Sequence, residues 1–186
     1  MAKRLDFVLV IDLEATCWEK KPPAGQWHEI IQVGIIKCSP RGCFESMSYF
    51  IKPKFSSISD YCTKLTGIRP GKVEKLGIGF PEFCTELAER IPHLKEYTWA
   101  SWGDYDRTQF HKNCKFYKVK YPFGRTHLNI KNLFALKFNL PKEVEMMKTL
   151  EILKLSHFGK HHDATDDALN IARILKKILW TDPSGI

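Results

Sequence analysis

The chain has 186 residues, 44% of them hydrophobic and 27% charged, with a formal net charge of +8. That length suits one domain able to bury roughly 70% of the surface its unfolded chain exposes, and that composition excludes disordered and collagen-like chains. No uninterrupted apolar run approaches the roughly 20 residues needed to cross a bilayer, which argues against a membrane partner, while the positive charge favours polyanions such as nucleic acid.

Residues 7–14 (FVLVIDLE) read as a strand, apolar almost to its end and therefore covered on both faces. Residues 29–37 (EIIQVGIIK) and 44–51 (FESMSYFI) read as two more strands, joined as a hairpin across Pro40, Arg41 and Gly42. Residues 80–91 then place apolar side chains at 80, 83, 84, 87, 88 and 91, a helical period. Residues 97–102 (YTWASW) are a short strand candidate. Residues 106–119 have the length of a helix, with an acid in the first turn that suits the dipole. The clearest helix covers 163–179, where Ala168, Ile171, Ala172, Leu175, Ile178 and Leu179 form one stripe. This order predicts an α/β sandwich with antiparallel strands on one side and βαβ crossovers on the other. Residues 1–180 are expected to form a single domain and residues 181–186 a short mobile tail.

The six cysteines (17, 38, 43, 62, 84 and 114) include no Cys-x-x-Cys pair, and no export signal precedes residue 12. They are read as reduced, structural thiols, which predicts an intracellular, cytoplasmic setting.

Asp12 and Glu14 stand two apart at the end of the first strand, so period two puts both on one face. A hard divalent cation there would offset their repulsion; the plain alternative is a frayed, solvated strand end. His161-His162-Asp163-Ala164-Thr165-Asp166-Asp167 precedes the last helix. A histidine there suits a general base, while Asp163 and Asp166 also suit simple helix N-terminal charges. At the junction Trp102 to Phe110, either Asp104 or Asp106 can cap the helix and the other can ligate. Four acids on three segments plus one histidine match the needs of two-metal phosphodiester hydrolysis.

Asp12-x-Glu14, Asp106 and His162-x₄-Asp167 together resemble the DEDDh branch of 3′–5′ exonucleases. Finer matches lie in residues 10–18 (VIDLEATCW), 29–34 (EIIQVG), 61–68 (YCTKLTGI) and 168–173 (ALNIAR), and they resemble the Eri-type and histone-mRNA 3′-exonuclease subgroup. The resemblance implies a ribonuclease-H-like three-layer α/β fold, a mixed five-stranded sheet flanked by helices. It implies Asp12, Glu14, Asp106 and Asp167 as ligands of two Mg²⁺ or Mn²⁺ ions, and His162 as the base, with His161 its rival. One departure is Asp163-Ala164, where the family often has Arg-Gly, which adds an acid beside the histidine.

The implied activity is hydrolysis of single-stranded 3′ ends, RNA rather than DNA, to nucleoside 5′-monophosphates. A non-catalytic RNA-binding module and a DNA proofreading or repair exonuclease are the alternatives, and protein partners are not specified. Ala15 and Thr16 match positions against the 3′-terminal nucleotide, although Thr16 also suits a turn. Tyr105 is read as stacking on a base and Leu65 as a wedge between bases, each against a core alternative. Lys112, Lys115 and Lys118 recur every third residue and are read as a groove wall for the phosphate backbone, or else as a solvated helix face.

Overall fold

The computed structural model describes residues 4–180, and the tail expected at 181–186 lies outside them. The strands are β1 (Arg4–Ala15), β2 (Ile30–Ser39), β3 (Gly42–Lys52), β4 (Ile78–Gly79), β5 (Tyr97–Ser101) and β6 (His127–Asn129). The helices are α1 (Asp60–Thr66), α2 (Pro70–Leu76), α3 (Phe80–Arg90), α4 (Tyr105–Tyr117), α5 (Ile130–Lys137), α6 (Met146–Ile152) and α7 (Ala164–Leu179).

The strands form one mixed sheet in the order β4-β3-β2-β1-β5-β6. β1, β2 and β3 pair antiparallel, whereas β5 runs parallel to β1 and β6 parallel to β5. The sheet has six strands where five were expected, because β4 and β6 are two and three residues long. Such strands are too short to show an alternation. Likewise α1, α2, α5 and α6 have only seven or eight residues, about two turns, and carry no stripe that a sequence reveals.

β1 is apolar throughout its middle because both of its faces are covered. Phe7, Leu9, Ile11 and Leu13 pack with Phe83, Leu87 and Phe110 from α3 and α4. Val8 and Val10 point the other way, to Phe134, Ala168, Ile171 and Leu175 from α5 and α7. The three layers that result fix the end of β1 between α4 and α7, and the acids lie there.

The ends of two predicted elements shift for local reasons. α4 stops at Tyr117 because Lys118 takes a left-handed conformation (φ 54°). Asp163 lies just outside α7 and caps it, its side chain accepting from the N–H groups of Thr165 and Asp166. The predicted hairpin is present, with Ser39 opposite Gly42. Across it Cys38 and Cys43 bring their sulfurs to 3.1 Å as free thiols.

Candidate active site

β1 delivers Asp12 and Glu14 on one face, as period two requires. α4 delivers Asp106 from its first turn, where Asp106 Oδ1 accepts the Leu13 N–H at 3.2 Å. That bond seats the Asp106 carboxylate against the backbone between the two strand acids. Asp104, the other candidate on this segment, turns away: it pairs with Arg107 at 2.9 Å and accepts from Asn129 at 3.0 Å.

α7 delivers Asp167, and the start of α7 is held by β2. Gly34 is the residue opposite Asp12 in the ladder. A Cβ on Gly34 would come within 2.2 Å of the Ala164 carbonyl oxygen, so only glycine lets the helix sit this close to the sheet. Gln32 clamps the same turn, accepting from the Ala164 N–H (3.2 Å) and donating to Asp163 (3.1 Å). Asp163 is therefore a cap. Asp166 accepts the Lys160 N–H at 2.8 Å and braces the preceding loop.

His162 sits in the left-handed region (φ 64°), its N–H donating to Asp167 at 2.8 Å. Its ring stacks on His161 with centroids 4.1 Å apart, and its Nδ1 lies 3.7 Å from Glu14 Oε1. His161 instead points Nδ1 at Asp167, 3.1 Å from Oδ2. Adjacent histidines thus face different acids.

These groups line one cleft of about 480 Å³, together with Leu13, Ala15, Cys17, Leu65, Trp102, Tyr105 and residues 145–147. A larger apolar groove of about 960 Å³, beside α3 and residues 119–122, holds none of the five catalytic-type residues.

The electrostatics of the cleft are those of crowded, dry acids. Burial pushes Asp12 well above the usual carboxylate range, and Asp106, Glu14, Asp167 and Asp163 add to the rise. Burial also pushes Asp106 up to about 7, against the backbone N–H groups that favour its charge. Glu14 is raised by burial, with His162 working the other way. His162 in turn is held above its ordinary value by the contact with Glu14.

The expected substrate contacts separate into three groups. Ala15, Leu65 and Tyr105 line the cleft, with Leu65 and Tyr105 37% and 54% exposed. Thr16 does not offer its hydroxyl to a sugar. It is fully buried, its Oγ1 donates to the Trp27 carbonyl and accepts the Glu29 N–H, both at 2.9 Å, and its carbonyl takes the His28 ring. Lys112, Lys115 and Lys118 are outside the cleft. Lys118 ends α4, about 18 Å along the axis from Asp106 at 1.5 Å per residue, beside Phe55, Phe116, Lys52 and Lys54.

Sequence reasoning missed His157, whose Nε2 reaches Asp167 Oδ1 at 3.3 Å. Its only signal was the grouping of three histidines at 157, 161 and 162. It also missed why Glu29 and Gln32 belong to the motif around them. Glu29 is fully buried and gathers the N–H groups of Lys54, Phe55 and Ser56, plus the Tyr117 hydroxyl.

A family model described as exonuclease, RNase_T, matches residues 9–175. The human protein named 3′-5′ exoribonuclease 1 is 28% identical over 94% of this chain and 52% of its own length. The chain thus spans about half the length of the first curated relatives it matches. A Bacillus subtilis protein named probable 3′-5′ exonuclease KapD is 29% identical over 92% of this chain and 83% of its own. Among solved structures, the nuclease domain of 3′hExo, a DEDDh family member bound to rAMP, superposes with a TM-score of 0.84. It is 26% identical over 94% of this chain and 92% of that one. The chain belongs to the RNase_T exonuclease family, in its DEDDh branch, and within it is similar to the Eri-type enzymes.

Proposed function

We propose that this domain is a divalent-cation-dependent 3′–5′ exonuclease that trims single-stranded RNA and releases nucleoside 5′-monophosphates. The observation that carries the proposal is the convergence of four carboxylates from three segments, in which the charges that act most strongly on buried Asp12 are all other acids. A carboxylate as dry as Asp12, surrounded by acids, is costly without a cation. An oxygen-only donor set suits hard cations, Mg²⁺ or Mn²⁺. Asp12, Glu14, Asp106 and Asp167 would hold two of them. When bound, such a pair supplies neutralisation of phosphate charge and acidifies water.

The remaining roles fall to the chain's own side chains. His162 stands at the rim, 39% exposed and facing Glu14, and takes the proton of the attacking water on an imidazole nitrogen. Glu14 stabilises the imidazolium that forms. Tyr105 offers an open ring to a base and Leu65 an apolar edge, contacts worth about 1–3 kcal/mol per stacked base. The Ala15 side of the cleft gives the strand end a wall without a charge. The preference for RNA is supported by the exoribonuclease names of the relatives and by the rAMP bound to the similar nuclease domain of 3′hExo.

The test is digestion of 5′-labelled RNA and DNA of one sequence with Mg²⁺, Mn²⁺ or EDTA. A descending ladder on RNA, weaker on DNA and absent in EDTA, is expected. Asp12→Ala should be inactive while folded. Activity retained in that variant, or internal cuts in a circular strand, would overturn the proposal.

A further inference from the structure

A second, nitrogen-rich donor set adjoins the carboxylate cleft and shares Asp167 with it. His157 Nε2 and His161 Nδ1 each lie 3.3 Å from the same oxygen, Asp167 Oδ1. The three donor atoms are all within 4.8 Å of one another. A tetrahedral cation with bonds of about 2.0–2.1 Å to imidazole nitrogen and carboxylate oxygen separates its donors by about 3.3 Å. The two contacts already have that spacing.

The set is also held in place. Asn170, fully buried on α7, accepts the Phe158 N–H at 3.0 Å and donates to the Phe158 carbonyl at 2.9 Å, which fixes the backbone next to His157. The His157 and Asp167 side chains are 15% and 6% exposed, whereas that of His161 is 44% exposed and lines the cleft. Two donors are therefore anchored, and the third stands on the side from which an ion would enter.

We propose that His157, His161 and Asp167 form a zinc site that silences the nuclease by taking Asp167 out of the carboxylate set. The site differs in chemistry from the one proposed for Mg²⁺ or Mn²⁺: two imidazoles favour zinc, while magnesium keeps to oxygen ligands. The inhibitory consequence rests on the reading that Asp167 serves catalysis; the binding of zinc does not.

The experiment uses the whole chain in millimolar Mg²⁺. Zn²⁺ is titrated by calorimetry, and Co²⁺ serves as a visible probe of tetrahedral coordination. One tight Zn²⁺ per chain is expected despite the excess of Mg²⁺, with binding weakened at least about tenfold in His157→Gln, since even loss of a group supporting a ligand costs this much. Scaled to its own Mg²⁺-supported rate without zinc, the same variant should require at least about tenfold more Zn²⁺ for half-inhibition. His161→Gln provides a second binding measurement and secures the result if His157→Gln does not fold. Wild-type Zn²⁺ affinity in both folded variants, or unchanged inhibition in His157→Gln, would overturn the proposal. The latter result would mean that zinc acts by replacing the ions of the carboxylate set. If no nuclease activity is found with any cation, the functional proposal fails while calorimetry and Co²⁺ spectra still decide the zinc site.

Discussion

Asp106→Asn should make the metal-free protein more stable at neutral pH, although it should destroy the nuclease. Asp106 is 3% exposed and is held at about 7, against an ordinary 3.8. Between those values the folded state binds more protons than the unfolded state, so stability falls as pH climbs through this window and stays low above it. A rise of about three units, at 1.36 kcal/mol each, corresponds to about 4 kcal/mol. For a chain of this size that is on the order of 10 °C in Tm. Asparagine is isosteric and its side-chain oxygen still accepts the Leu13 N–H, so little else is lost. His127 acts in the opposite sense: burial pulls it down to about 4, which costs stability as pH falls below 6.5. Its contribution is common to both proteins and cancels in their difference. The assay is thermal melting of wild type and variant in EDTA from pH 4.5 to 8. The variant should melt about 5–15 °C higher at pH 8 and near wild type at pH 4.5. Millimolar Mg²⁺ should then raise wild type far more than the variant. A variant that melts at or below wild type at pH 8 would refute the account of the cleft as a store of unpaired charge.

Three further outcomes follow from the same geometry. His162→Ala should lower the Mg²⁺-saturated rate by about 10²–10⁴ and His161→Ala far less, because only His162 faces Glu14; the reverse order in single-turnover rates would move the base by one residue. Charge reversal at Lys115 and Lys118 should weaken binding of long strands and flatten its salt dependence while leaving dinucleotide cleavage intact, since α4 carries these residues away from the cleft; equal losses on both substrates would contradict that placement. Gly34→Ala should cost about 1–3 kcal/mol and most activity, because its Cβ would meet the Ala164 carbonyl oxygen and not a yielding side chain; a wild-type melting curve would show that α7 docks less closely than described.

The parts of the fold legible in the sequence were those with a long period. β1 showed itself as an apolar run because both faces are buried, and α7 as a stripe because one face is. β6 and α6 offered too few residues for any period, yet they supply the neighbours of β5 and one wall of the cleft. Asp12 and Glu14 could be placed on one face by counting to two. The choice between Asp104 and Asp106 could not be made by counting, since it depends on one backbone bond from Leu13. Thr16 was open between a sugar contact and a turn, and the deciding fact is the pair of bonds to Trp27 and Glu29, eleven and thirteen residues away.

A common feature joins the residues that sequence reasoning left unexplained. Glu29, Gln32 and Gly34 make no contact with substrate in any reading, yet Glu29 stands just before β2, and within it Gln32 and Gly34 alternate with Ile31 and Val33, which fill the core. Glu29 holds residues 54–56, Gln32 holds the first turn of α7, and Gly34 makes room for it. The strand next to the acids therefore acts as a jig. It sets where Asp167 and His162 stand relative to Asp12, across 150 residues of chain. A cleft whose acids come from β1, α4 and α7 needs such a jig, because no local spacing can bring their oxygens together. Ile31, Val33 and Ile35 of β2 fill the core, while Gln32 and Gly34 align the helix that completes the cleft.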